Sequence, residues 1–244
     1  MQAQPIIQVL PRNNHDFHPV VPFNPANDKL IPLDFTERND ELTEEIFVNT
    51  EVFCRYIDKK LNDQQALYGI GGYNELRSVY KRSKLFDPEI TSTTLSDRGN
   101  AAEEPRRLHL GVDIWGQAGT PVYAFMGGMI HSYAFNDHYG DYGATLITLH
   151  QLDGIPFYTL YGHVSLRDIE TVSPGHYITR GEIIAHFGQP AENGHWPPHL
   201  HFQIIIDIEL KKGDYPGVCK YSEREKYLNN CPDPDLILKL QRFL

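Results

Sequence analysis

Cysteine is scarce: Cys54, Cys219 and Cys231 are the only three in 244 residues. An odd count without C-x-x-C spacing excludes a disulfide framework and a zinc ribbon. Free thiols are the expectation, with a Cys219–Cys231 bridge as the alternative. Long apolar runs are also missing, so no segment suits a bilayer span. The start, MQAQPIIQVLPRNNHDFHP, lacks a basic region followed by an apolar stretch. It does not read as a secretory leader, and a cytoplasmic location is the expectation. Positive charge is in deficit too, with 22 Lys and Arg against 32 Asp and Glu. A net charge of -10 argues against nucleic acid or an anionic membrane as the main partner. The short basic stretch Tyr80–Lys84, YKRSK, reads as a solvated helix face.

What is present changes in texture along the chain. Residues 1 to about 38 are rich in Pro and Asn and read as an extended arm. The next stretch carries Leu42, Ile46, Phe53, Ile57 and Leu61 at helical spacing, with Asn39 or Asp40 as candidate cap. YGIGGYNE, Tyr68–Glu75, has glycines but no G-K-[ST] ending, so it reads as a turn and not a phosphate loop. Residues 87–106 are polar and read as a loop or linker. From His109 onward come short β-branched and aromatic runs separated by Gly, Pro, Asp and Asn. These predict an all-β barrel or sandwich. The tail from Arg224 reads as a short helix, a proline-marked turn and a packed end.

Chemistry concentrates in histidine. In WPPHLHFQIII, Trp196–Ile206, two prolines stop any helix and strict alternation predicts a strand. His199, His201 and Gln203 then share one face, and Leu200, Phe202 and Ile204 the other. One His-x-His pair is weak evidence, since about 0.6 arise by chance at this histidine content. HLGVD adds His109 and Asp113. Four residues of straight strand span about 13 Å, too far for one ion, so a shared metal requires a bend, which Gly111 permits. FYTLYGH adds His163 at a strand end beside Gly162. A catalytic zinc commonly takes three protein ligands and leaves one position open. His109, Asp113 and either His199 or His201 can supply the three. The other paired histidine and His163 can then move protons or stabilise an oxyanion.

In this order, HLGVDIWGQAGTPVYA, TLYGHVS, VSPGHYITRGEIIAHFG and PPHLHFQ resemble the lysostaphin-type (LytM-like) zinc metallopeptidase family, over about residues 105–207. The resemblance implies a compact antiparallel β barrel or sandwich preceded by a helical and extended N-terminal region. It implies one zinc ion held by His109, Asp113 and His201, with His163 and His199 as the catalytic pair. It implies water on that zinc attacking a peptide carbonyl, and peptide or peptidoglycan-like substrates such as glycyl bridges and D-amino-acid crosslinks. The flanks YGIGGYNELRSVYKRS, GDYPGVC and NNCPDPDLIL are similar to a lysostaphin-type subgroup that occurs fused to kinase-like and aminotransferase domains, which accords with an intracellular protein.

The pattern also departs from the family. QPAENGHWPPH stands where a Gly/Ser/Thr-rich loop is usual, and Gln203 where an acid is usual. These departures favour a rival reading, a binding or scaffold module that keeps the fold, with or without the metal, but cleaves nothing. Asn74 or Glu75 is a further candidate, as a ligand that blocks the metal. His131, His150, His176 and His186 read as structural, His195 as exposed, and Trp196 as lining the groove or covering the core edge. The expected organisation is 1–104 as arm and helix, 105–210 as the metallopeptidase β domain, and 211–244 as a C-terminal extension.

Overall fold

The computed structural model describes residues 4–88 and 104–244. Most of the polar loop expected at 87–106 lies outside the described residues. The N-terminal part contains α1 (Gln4–Asn13), β1 (Leu30–Leu33), α2 (Glu44–Phe47), α3 (Thr50–Asp63) and β2 (Tyr68–Gly71). The strand-rich part begins with β3 (Leu108–His109), β4 (Val112–Trp115), β5 (Pro121–Tyr123), β6 (Gly128–Asn136), β7 (Gly143–Leu152) and β8 (Ile155–Val164). Then come α4 (Leu166–Glu170), β9 (Tyr177–Ile178), β10 (Ile183–His186), β11 (His199–Ile205) and β12 (Val218–Cys219), and finally α5 (Arg224–Asn230) and α6 (Asp235–Leu238).

Eight strands form one open sheet in the order β1-β2-β4-β11-β8-β7-β6-β9. Only β1 and β2 run parallel; the other neighbours are antiparallel. Two small sheets, β5–β10 and β3–β12, pack beside it. The architecture is thus mainly β and sandwich-like, not a closed barrel.

The central strand is β11, and all seven of its residues are buried. Leu200, Phe202 and Ile204 enter the main apolar core with Val112, Ile114 and Tyr161. Trp115 and Trp196 belong to a second cluster with Phe35 and Phe53, on which α3 and its flanks pack. A strand covered on both faces cannot slip by one residue, because a slip would exchange the two sets of side chains. Register therefore fixes the chemistry: His201 stands opposite Asp113 on one neighbour and Gly162 on the other.

The N-terminal part departs from the sequence reading in three places. The extended arm contains α1, in which Ile6 and Leu10, one turn apart, are buried in the main core. That packing sustains the helix through Pro11. The expected single helix over 42–61 divides into α2 and α3. Asn49 adopts an extended backbone, and its side chain accepts from the Val52 N–H at 3.1 Å, so Asn49 and not Asn39 or Asp40 is the cap. YGIGG forms β2, not a turn. It lies between β1 and β4, so close that a Cβ on Gly69 would stand 2.3 Å from Leu33 Cδ1.

The bend expected in HLGVD is present. The chain leaves β3, which pairs with β12, and enters β4, which pairs with β11. Gly111 sits at this change of sheet. A Cβ there would meet His201 Cε1 at 2.4 Å and the Phe202 carbonyl at 2.9 Å.

Phe53 is fully buried, with its ring 5.9 Å from Trp115 and 6.4 Å from Trp196. Phe53→Ala should cost about 3–5 kcal/mol. The check is a lowered urea midpoint at unchanged slope; an unmoved midpoint would mean that α3 is not part of the core.

Candidate metal centre

Three side chains from three strands converge. His109 Nε2 lies 2.9 Å from His201 Nδ1, Asp113 Oδ1 lies 3.0 Å from His201 Nδ1, and His109 Nε2 lies 3.2 Å from Asp113 Oδ1. All three residues are buried. A triangle of this size lets one ion stand at about 2.0–2.2 Å from every corner.

Hydrogen-bond partners fix how the two rings are turned. His109 Nδ1 donates to the Gly72 carbonyl at 2.8 Å, and His201 Nε2 donates to Gln203 Oε1 at 2.9 Å. In a neutral imidazole the other nitrogen is then a bare lone pair. Burial, followed by the Arg77 charge, pushes His109 down to about 3, so it is neutral near neutral pH. On Asp113, Oδ2 receives Arg77 Nη1 and Oδ1 is left facing the histidines. Burial alone would raise this carboxyl. The Arg77 guanidinium paired with Oδ2 opposes that effect and favours the carboxylate. Two ring nitrogens and a carboxylate oxygen thus face one another within 3.2 Å. A divalent cation satisfies all three, and the nitrogen and oxygen donors suit zinc.

His163 and His199 stand beside this triangle with ring centroids 4.1 Å apart. His163 Nδ1 donates to the Asn193 carbonyl at 2.8 Å and His199 Nδ1 to the Pro197 carbonyl at 2.7 Å. Both Nε2 atoms are therefore acceptors. Burial pushes His199 down to about 4; burial, then His199 and His201, holds His163 well below the usual histidine range. The His199 ring stacks on Trp115 at 3.8 Å. His163 was expected at a rim; it is buried, with a left-handed backbone, φ 62°.

Asp113, His163, His199 and His201 line a cavity of about 200 Å³. Its deep wall is aromatic, with Tyr80, Phe86 and Trp196 all buried. Asp214 is exposed and Arg106 and Asp141 are half-buried, so the cavity opens on that side. Trp196 both lines the cavity and packs against Phe53, at 6.4 Å.

The blocking role considered for Asn74 and Glu75 does not hold. Asn74 Oδ1 accepts from Arg224 Nε at 3.0 Å, and Glu75 pairs with Arg77 Nε at 2.8 Å. Two residues at the centre went unread in the sequence: Arg77, inside an ordinary basic stretch, and Gln203 as the partner of His201. Alternation put Gln203 on the right face and was the one available signal. His150 is satisfied by Thr148, Thr159 and the Gly127 carbonyl, His186 by Asp168, and His131 contacts Ser132 Oγ. His176 is exposed and not structural in that sense; His195 is exposed, as expected. Cys54, Cys219 and Cys231 are free. Among the described residues no helix is long and apolar enough to cross a membrane.

Residues 107–213 match the model of Peptidase family M23. No curated protein matches the chain in sequence. Among solved structures, the chain is similar to the catalytic domain of the antimicrobial peptidase lysostaphin from Staphylococcus simulans. Identity is 21%, over 71% of this chain and 97% of that one, with a TM-score of 0.36. A longer lysostaphin structure from the same organism gives 25% identity over 63% of this chain and 48% of that one, TM-score 0.37. A zinc containing peptidase from Vibrio cholerae gives 26% over 50% and 34%, TM-score 0.32. The chain thus spans the isolated lysostaphin domain but about half or less of the two longer chains. The family match is a likeness over residues 107–213.

Gln203 also donates to the Pro216 carbonyl at 3.1 Å, which fixes its amide so that Oε1 faces His201. Gln203→Leu removes that acceptor. Metal affinity should fall about 10–100-fold, measured by competition with a chromogenic chelator. Gln203→Glu, which keeps the acceptor, should stay nearer the parent value.

Proposed function

We propose, from the match of residues 107–213 to Peptidase family M23, that this chain is a zinc-dependent endopeptidase whose ion is held by His109, Asp113 and His201. The observation that carries this is the triangle of two nitrogens and one oxygen, with edges of 2.9–3.2 Å. A zinc ion bound there would make water more acidic and polarise a carbonyl.

The chain's own residues supply the rest. His163 and His199 present unprotonated Nε2 atoms, so either can accept the proton that a nucleophilic water must lose. With their rings 4.1 Å apart, two positive charges repel, and the pair holds one proton at a time. That proton is then available to the departing amine. Trp115 fixes the tilt of His199 by stacking, and the Pro197 and Asn193 carbonyls fix both tautomers. Buried aromatic rings keep bulk water from the deep wall, which strengthens charge interactions inside the cavity.

The substrate class is an amide in a peptide. Glycyl-glycine and D-amino-acid peptides of peptidoglycan type are the first to try, since the lysostaphin-type resemblance points to them. The rival reading, a module that binds without cleaving, loses one of its supports. Gln203 departs from the acidic pattern, yet it does an acid's work as acceptor for His201.

Metal analysis joined to a peptide-cleavage panel tests the proposal. The parent chain should bind one zinc and cleave at least one panel peptide. His199→Ala should keep the metal and lose about 10²–10⁴-fold in turnover. His109→Ala should lose the metal. Zinc bound with every peptide intact would favour the binding module, and absence of zinc binding would defeat the metal reading.

A further inference from the structure

We infer that Arg77 is a positioning residue of the metal centre: it holds Asp113 to a single donor oxygen, from a segment outside residues 107–213. The inference rests on the metal reading above. Arg77 is 2% exposed and uses its guanidinium in three directions. Nη1 bonds Asp113 Oδ2, Nε bonds Glu75 Oε2 at 2.8 Å, and Nη2 bonds the Gly72 carbonyl at 3.0 Å. The guanidinium also lies over the Phe35 ring, 5.1 Å from its centroid. A planar fork fixed at so many points cannot follow Asp113 if the carboxylate turns.

The consequence lies in carboxylate chemistry. A carboxylate has two oxygens, and either or both can bind a metal. In this site Oδ1 faces His109 and His201 at 3.2 and 3.0 Å, and Oδ2 is occupied by Arg77. Two-oxygen ligation would require Oδ2 to give up Arg77 Nη1, leaving a buried N–H without its acceptor, which is costly. Arg77 therefore keeps one coordination position open. Its positive charge near a divalent ion is a liability by itself. Glu75, held on the far side, offsets that charge.

A second contact ties the segment to the other ligands. The Gly72 carbonyl that receives Arg77 Nη2 also receives His109 Nδ1 at 2.8 Å. The backbone follows the same line, with Asn74 N–H on the His109 carbonyl and His109 N–H on the Glu75 carbonyl, at 3.0 and 2.9 Å. One carbonyl and one arginine, both contributed by residues 72–77, thus orient two of the three ligands.

Cobalt(II) loaded into the full chain reads the coordination directly, since four-coordinate cobalt absorbs visible light far more strongly than five-coordinate cobalt. The parent chain should show intense visible bands. Arg77→Met, which keeps length and burial but releases Oδ2, should weaken them several-fold while cobalt remains bound. Bands at parental intensity in Arg77→Met would overturn the inference. If that variant does not fold, Glu75→Ala decides. It removes the outer anchor of Arg77, so weakened bands support the role and unchanged bands overturn it. A parent chain that binds no cobalt defeats the metal reading itself, and the role of Arg77 with it.

Discussion

Everything at this site depends on where four imidazole protons go. His109, His163, His199 and His201 are all buried, and each gives one ring N–H to a fixed oxygen. Three of those oxygens are backbone carbonyls, which can only accept; the fourth is the amide oxygen of Gln203. Each ring is left with a lone pair on a chosen side. For His109 and His201 the lone pairs meet Asp113, which makes a cation site. For His163 and His199 they are unpartnered among the described residues and belong to rings lining the cavity, which makes a proton acceptor. On the proposed reading, one hydrogen bond per ring separates ligand from base, although the side chains are identical.

That arrangement requires the strands to be in one register and the N-terminal region to be in place. Asp113 and His201 are directly paired across β4 and β11, and His163 follows Gly162, which pairs with His201 from β8. The acceptor for His109 comes from Gly72, just beyond β2, the strand beside β4. The region before residue 107 is therefore structural to the metal centre. Its strands extend the sheet, its helix α3 supports the aromatic wall, and its buried arginine reaches Asp113.

Much of this was legible in the sequence, and the remainder was hidden for identifiable reasons. Alternation in HLHFQIII placed His199, His201 and Gln203 on one face, and the need for a bend at Gly111 followed from strand length alone. Periodicity found the apolar face of α3 but not the break before it. Asn49 ends one helix and caps the next without disturbing the spacing of Phe53, Ile57 and Leu61. Helix α1 was masked by prolines, because tertiary burial of Ile6 and Leu10 outweighs local propensity. YGIGG read as a turn because glycine is ambiguous: the missing side chain that permits a turn also permits a tightly packed strand. Arg77 had no signal at all. A buried arginine and a solvated one look alike until its partners, 36 residues away for Asp113, are known.

The metal-bearing triangle also bears on the choice between enzyme and scaffold. Three polar ligand atoms buried about 3 Å apart are costly to take out of water. Apolar residues of similar volume would serve a scaffold better. A structural metal would account for the three ligands, but a closed structural site takes four protein ligands. Here the protein supplies three, and Arg77 occupies the oxygen of Asp113 that could have been a fourth. A structural metal would not account for His163 and His199, whose buried rings keep unpartnered acceptors beside the ion at the cost of desolvation. On the proposed reading, an open coordination position next to two proton acceptors would suit hydrolysis better than a scaffold.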